Sequence, residues 1–246
     1  MFTPPRIALI ILLIVLSPCL ATGQSLKYQV SHEGKIIGTT TLTTKILPHS
    51  GEEIREITSR TKMRVKSLFF TVFSLDSEDT SLVDARGLLK HHSRSTIDGE
   101  EIIIHAERKE TALAFQLTQD DQTHNWAIVL DHFDCSSVEW KQLEPMQPGE
   151  SLVLNVLQLD NLEIEKQRFQ RRENEPLVVD GQTVICRVFE WTGKTTRGRR
   201  WCLQNRLDII IREDGTDEDG AYSFTLEKLS TQIYENPPTG ERNNAR

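Results

Sequence analysis

Pro176-Leu-Val-Val-Asp-Gly181, then Gln182-Thr-Val-Ile-Cys-Arg-Val-Phe-Glu-Trp191, a polar loop, and Trp201-Cys-Leu-Gln-Asn-Arg-Leu-Asp-Ile-Ile-Ile211 form the stretch that decides the fold. In the last arm, Trp201, Leu203, Leu207, Ile209 and Ile211 fall on one face, with Asn205 as the exception. Cys202, Gln204, Arg206, Asp208 and Arg212 fall on the other. Alternation with a period of two predicts a strand with one buried and one wet face. Thr192 to Arg200 is polar and broken by glycines, which predicts a hairpin loop. If Cys186 faces Cys202, then Arg187 faces Trp201, Ile185 faces Leu203, and the apolar positions of both arms share one side. Facing Cα atoms on antiparallel strands lie about 4.5–5.5 Å apart, within disulfide reach. The alternative is a pair of small buried thiols. Cys135 is then either inert or a partner of one of the two.

The same pattern extends in both directions. Leu26, Tyr28 and Val30 alternate with polar residues, Glu33-Gly34-Lys35 turns the chain, and Ile36 to Leu47 returns as a Thr-rich strand. Runs beginning at Ile54, Leu68, Leu88, Glu101, Ala112, Trp126, Leu152, Leu162 and Ala221 read as further strands. Asp98-Gly99, between alternating arms, is a strong hairpin signal. Between Asp131 and Glu150 the pattern changes, and capping residues predict one short helix around Cys135 to Leu143. Strands with turns every ten residues or so favour a mainly β architecture over a parallel sheet with crossover helices. The expected fold is a single curved antiparallel sheet or half-open β-barrel, whose inner face must be covered by a helix, a second sheet or a ligand.

The N-terminus has the layout of an export signal. Arg6 is its lone charge, Ile7 to Leu16 is unbroken apolar sequence, and Ala21-Thr22-Gly23 follows. Ten apolar residues are too few for a hydrocarbon core that needs about 20. Residues 1–23 are therefore expected to be a cleavable signal peptide, with 24–236 as one β domain and 237–246 as a disordered tail. A lipoprotein signal with Cys19 as the lipidated residue is the alternative, although Pro18 fits it poorly. The 246-residue chain carries 29 Lys and Arg against 36 Asp and Glu, a net charge of -7. Such an acidic, mixed surface argues against non-specific nucleic-acid binding. Nothing after Leu20 is apolar enough to span a membrane as a helix, and the periplasm is the expected compartment.

Three stretches carry a resemblance. Tyr28-Gln-Val-Ser-His-Glu-Gly-Lys-Ile-Ile-Gly38 resembles the first hairpin of a family of uncharacterised bacterial periplasmic proteins. Gly87-Leu-Leu with Ser95-Thr-Ile-Asp-Gly99 resembles that family's central hairpin. Val179-Asp-Gly, Cys186-Arg-Val, Trp201-Cys-Leu and Leu207 resemble its closing strands. That family is similar in turn to the half-open barrel of bacterial lipoprotein-localisation carriers, which wrap a curved sheet around an apolar cavity for acyl chains. The resemblance implies this fold and no catalytic residues; a carrier-like role remains two steps away, because fold does not imply function.

No catalytic motif stands out. His91 and His92 point to opposite faces of a strand and cannot chelate one ion together. His105 could join one of them, yet no carboxylate or cysteine spacing completes a site, so no metal and no cofactor is expected. Asp131-His132 with Ser136 or Ser137 invites a triad reading but lacks a nucleophile elbow, and Cys135 beside Asp134 has no activating base. The expected function is non-catalytic binding of a lipid or lipidated protein in the concave apolar face. The candidate lining is Phe69, Phe73, Phe115, Trp126, Trp140, Trp191 and Trp201. Lys194, Arg197, Arg199 and Arg200 form a basic loop tip that could be a rim for phosphates or an acidic partner. The alternative is a structural or adaptor protein of the cell envelope that binds a protein through loops or a strand edge.

Overall fold

The computed structural model describes residues 23–49, 52–67 and 70–229. The expected signal peptide, the terminal tail and Phe69 lie outside the described residues. The first eight strands are β1 (Gln24–His32), β2 (Lys35–His49), β3 (Glu52–Ser67), β4 (Phe70–Asp84), β5 (Gly87–Ile97), β6 (Glu100–Arg108), β7 (Ala112–Gln119) and β8 (Gln122–Val129). The others are β9 (Cys135–Ser136), β10 (Ser151–Leu157), β11 (Ile164–Val179), β12 (Gln182–Thr192), β13 (Arg197–Leu203), β14 (Arg206–Asp217) and β15 (Gly220–Leu226). All belong to one sheet, in the order β8-β7-β6-β5-β4-β3-β2-β1-β15-β14-β13-β12-β11-β10-β9. Every neighbouring pair is antiparallel except β9 with β10. The first and last strands therefore meet in the middle, where Tyr28 faces Leu226, and a meander runs outward from each.

Local chemistry explains the turns. Asp98 and Gly99 both take positive φ, 51° and 95°, which a two-residue hairpin turn of the primed type requires. Glu33-Gly34 and Asp180-Gly181 do the same. Register shifts after Val30, Val65, Leu82, Arg172 and Trp201 mark bulges. Each bulge bends its strand and tightens the local twist. A sheet bent at five places curls until its two wings meet through side chains. Leu157 and Leu159, at the end of β10, pack with Ile104, Leu113 and Phe115 of the opposite wing. Glu139 crosses the same gap and accepts from the Leu88 amide at 3.1 Å. No ladder joins β8 to β9 among the described residues, so the barrel stays open.

Three expectations are corrected. The arm from Trp201 to Ile211 is not one strand: β13 ends at Leu203, Gln204-Asn205 turn the chain, and β14 begins at Arg206. The interval around Cys135 to Leu143 does not form an α-helix. It contains the two-residue strand β9 and a 3-10 turn at Lys141–Leu143, after another at Leu130–His132. Neither turn has a side-chain cap. The Asp134 carboxylate that might have capped a helix instead accepts from the Asn155 amide at 2.7 Å, tying this segment to β10.

Cys186 and Cys202 do not form a disulfide; both thiols are free and buried. The observed register sets Cys186 opposite Leu203 and Arg187 opposite Cys202, one residue away from the expected one. A one-residue slip sends facing side chains to opposite sides of a sheet. The reason lies further along the hairpin. Trp191 faces Gly198, where a Cβ would come within 2.2 Å of the indole, and Glu190 faces Arg199. The disulfide register would have set Trp191 against Arg197 and Gly198 against Glu190, giving up the close fit of the indole over Gly198.

Consequently both faces of β12 to β14 are buried, not one. Cys186, Val188, Trp201, Ile209 and Ile211 join Leu26, Tyr28 and Leu226 in one cluster. Phe189, Trp191, Cys202 and Leu207 join Cys135, Leu143, Leu154 and Phe169 in another. Burial pushes the thiols of Cys135, Cys186 and Cys202 up to about 12. A buried thiol held protonated in this way is a poor nucleophile.

Candidate functional site

The curled sheet encloses an open cavity of about 1270 Å³. This exceeds the usual small-molecule site of about 300–1,000 Å³. One wall is apolar: Val30 of β1, Ile37 of β2, Met63 and Val65 of β3, and Phe73 of β4. Gly38 lets β2 and β3 approach closely here, since a Cβ would meet the Lys62 carbonyl at 2.1 Å and Met63 at 2.8 Å. The facing wall mixes Leu154, Val156, Phe169, Trp140 and Trp191 with charged and amide groups. Trp140 and Phe169 meet edge to face, with ring centroids 6.5 Å apart.

The 3-10 segment that forms part of this wall is held by an arginine that sequence reading passed over. Arg187 projects from β12 and donates through Nη2 to the carbonyls of Glu144 and Met146, each at 2.9 Å. Its guanidinium also lies 5.5 Å from the Phe189 ring centre. Glu165 plays a similar part at the mouth. Its carboxylate accepts from the Lys194 amide at 2.8 Å, from Thr196 Oγ1 at 3.3 Å and from Gln167 Nε2 at 2.6 Å. It thereby fastens the loop Gly193 to Thr196 to β11.

The basic rim is redistributed by alternation. Residues Arg197 to Leu203 are strand, so only Gly193 to Thr196 is loop. Lys194 and Arg200 line the cavity. Arg197 is exposed and donates to Thr216 Oγ1 at 3.2 Å, on the other side. Arg199 pairs with Glu175 and covers the Trp201 ring at 5.0 Å. Trp201 in turn donates its indole N–H to Glu175 at 2.8 Å, inside the cluster that contains Tyr28.

Arg200 is the most heavily engaged of the four. Its guanidinium stacks 3.5 Å from the centre of the Trp140 ring and lies 5.5 Å from that of Trp191. Its Nε donates to Glu213, and each of the two side chains is only 12% exposed. Tyr222 also donates to Glu213, at 3.4 Å. Burial and the Glu213 charge raise the Tyr222 phenol well above its ordinary range, so it stays a donor.

The expected aromatic lining divides. Phe73, Trp140 and Trp191 border the cavity. Phe115 and Trp126 stack on each other at 5.4 Å inside the core of the opposite wing, and Trp201 belongs to the core near Tyr28. Asp131 and His132 are exposed in a 3-10 turn, whereas Ser136 is fully buried with its hydroxyl on Glu139 at 2.6 Å, so the triad residues do not meet. A different Ser–His contact exists inside the sheet, where Ser81 Oγ and His91 Nδ1 lie 2.9 Å apart. Both residues are buried, neither borders the cavity, and burial lowers the His91 pKa. A neutral imidazole in a closed serine-rich core is a structural hydrogen bond. No helix among the described residues is long and apolar enough to cross a membrane.

Comparison with known proteins agrees with this architecture. The sequence model of a domain of unknown function, DUF6134, matches residues 28–208. Among solved structures, a β-barrel-like protein of another domain of unknown function, DUF1849, from Brucella abortus is similar, with a TM-score of 0.59 and 11% sequence identity. The similarity covers 83% of this chain and 95% of that one. A Bacteroides fragilis protein with a YmcC-like fold aligns over 84% of this chain and 95% of its own, with 11% identity and a TM-score of 0.29. No curated protein matches the chain.

Proposed function

This chain belongs to the DUF6134 family of domains of unknown function, and we propose that it is an exported, non-catalytic binding protein whose cavity holds a lipophilic ligand. The observation that carries this reading is the open cavity of about 1270 Å³ with one wall of Val30, Ile37, Met63, Val65 and Phe73. A curved sheet that had filled its concave face with its own side chains would offer no such volume. Apolar surface left facing a cavity gains about 25 cal/mol per Å² when a ligand covers it. The facing wall, with Trp140, Trp191 and the paired Arg200, suits a ligand with an acyl body and a polar end. An acyl chain, or the acyl group of a lipidated protein, meets that description. Periplasmic residence accords with the apolar run Ile7 to Leu16. The dispersal of Asp131, His132 and Ser136 favours binding over catalysis.

A second reading rests on a different observation. Val178 and Ile185, near the end of the β11–β12 hairpin, are 71% and 44% exposed. Among the described residues, strand β8 has a neighbour on one side only. Either feature could receive a protein partner, as an adaptor of the cell envelope would.

The experiment is organic extraction of protein purified from its export compartment, followed by mass spectrometry and displacement of a fluorescent fatty acid. Cavity binding predicts a co-purifying lipid, or saturable probe uptake that Met63→Trp abolishes by filling the apolar wall. A clean apo mass with no probe uptake would move the assignment to the adaptor reading.

A further inference from the structure

Strands β5 and β6 are joined by the Asp98-Gly99 turn, and that turn fixes a register in which His92 faces His105. Both imidazoles lie on the outer face of the sheet and both residues are exposed, while His91 points inward and is buried. The two rings stack at 4.3 Å, with 22° between their planes, and one Nδ1 donates to the other across 3.1 Å, a proton that a bound metal ion would replace. The pair lies in an outer depression of about 570 Å³, bordered by Thr80, Gln116, Asn125 and Glu107.

The nitrogen spacing matches that of two ligands on one ion. Imidazole nitrogens bind first-row metals at about 2.0–2.1 Å, so two of them on one centre lie about 2.9 Å apart at a right angle and about 3.3 Å apart at the tetrahedral angle. Thr80, Gln116 and Asn125 supply oxygen, and the other nitrogens bordering the depression are engaged: His91 is buried with Nδ1 at Ser81, and Lys90 and Lys109 pair with Glu107. Thr80 is directly opposite His92 on β4, and Gln116 is directly opposite His105 on β7. The two carboxylates bordering the depression are committed, Glu107 to Lys90 at 3.0 Å and to Lys109, and Glu56 to Lys45 at 3.3 Å. No group of three or more His, Cys, Asp or Glu residues suited to a metal occurs among the described residues. A site here would therefore have two protein nitrogens, with its other positions left to water or to a second molecule.

We propose that His92 and His105 form an open two-imidazole site for a late first-row divalent ion on the outer face of the sheet. Copper(II) is the tightest ion for such a site, ahead of nickel and zinc, by the general order of divalent affinities for nitrogen donors. The site is independent of the cavity, which lies within the curl and shares none of these residues.

The test is titration of the protein, purified without a histidine tag, with copper(II), read by calorimetry and by electron paramagnetic resonance. One saturable equivalent with an imidazole-nitrogen signature is expected. His92→Ala and His105→Ala should each weaken it by roughly tenfold or more. His105→Gln, which keeps size and polarity without the ligand, should behave as the alanine variant does. His124→Ala, an exposed histidine on β8, should leave binding unchanged. Absence of a saturable equivalent overturns the proposal. So does binding that survives unchanged in the His92 and His105 variants, whose fold is verified by circular dichroism.

Discussion

Replacing Arg200 by Met or Glu213 by Gln, and then both residues by apolar ones, asks how the charge inside the barrel is held. The two groups are paired, each is 12% exposed, and Arg200 is also stacked 3.5 Å from Trp140. Removing one member of a buried pair costs about 3–5 kcal/mol, because the remaining charge is left without its counterion. The two single variants should differ. Arg200→Met strands a carboxylate that keeps, among the described residues, only the Tyr222 hydroxyl at 3.4 Å, so the upper part of that range applies. Glu213→Gln strands a guanidinium that keeps two indoles, and cation–π contacts return about 0.5–2 kcal/mol. Its expected cost is therefore about 1–4 kcal/mol. The double variant Arg200→Met/Glu213→Leu should recover most of the loss, since a buried pair replaced by apolar groups is often neutral. Urea denaturation with a constant slope measures all three, and the emission of Trp140 and Trp191 reports the local change. Costs below about 1 kcal/mol for both single variants would show a solvated pair, worth no more than a surface ion pair, and would refute the reasoning.

Three further outcomes follow from the same packing. Cys135, Cys186 and Cys202 should resist alkylation at pH 8 in the native protein, their thiols standing near 12, and react after denaturation. A Cys186–Cys202 bridge found by mass spectrometry before reduction would overturn the β12–β13 register. Asp84 and Arg108 pair at 4% and 7% side-chain exposure, and although burial pulls the Asp84 pKa up, Arg108, the Arg86 amide and the Arg86 charge outweigh it and hold it low. The stability this pair contributes is therefore present above the unfolded Asp value of about 3.9 and is lost as pH falls through the lower folded value. Asp84→Asn should flatten that acid limb in pH-dependent melting, and an unchanged limb would count against the pair. Gly198→Val should displace Trp191, whose ring lies within 2.2 Å of the added Cβ, lowering stability and fluorescent-probe uptake together. A variant with full stability would mean that the close approach does not exist.

The legible parts of this fold are those in which a signal is local. Asp98-Gly99 encodes its own turn, because those two residues tolerate positive φ, whereas the alternation from Trp201 to Ile211 spans two strands turned at Gln204-Asn205, and Asn205, the one break in the apolar pattern, was the signal of that turn. His91 and His92 were placed on opposite faces by the period of two alone, and burial agrees. The register of β12 against β13 is less local. Two cysteines at hairpin spacing looked like a bridge, yet the deciding pair is Trp191 with Gly198, a fit between the largest side chain and none. That signal was present in the sequence, and weighing Gly198 as a packing residue instead of a loop residue would have found it.

The cavity was less legible still, because it arises from the curl of the whole sheet. Bulges at five places bend the strands, and the Glu139 and Arg187 side chains tie the 130–150 segment across the interior. Trp126 and Trp140 are the same residue type, fourteen positions apart. One is sealed against Phe115 and the other is left facing open space, only because the returning chain covers the first. Arg200 follows the same logic. In sequence it belongs to a basic cluster with Arg197 and Arg199, but strand alternation turns it inward, where Glu213, thirteen residues on and directly opposite it on β14, makes a buried charge tolerable. Composition placed a cluster of positive charge near a rim; pairing determined that one member of it became part of the wall.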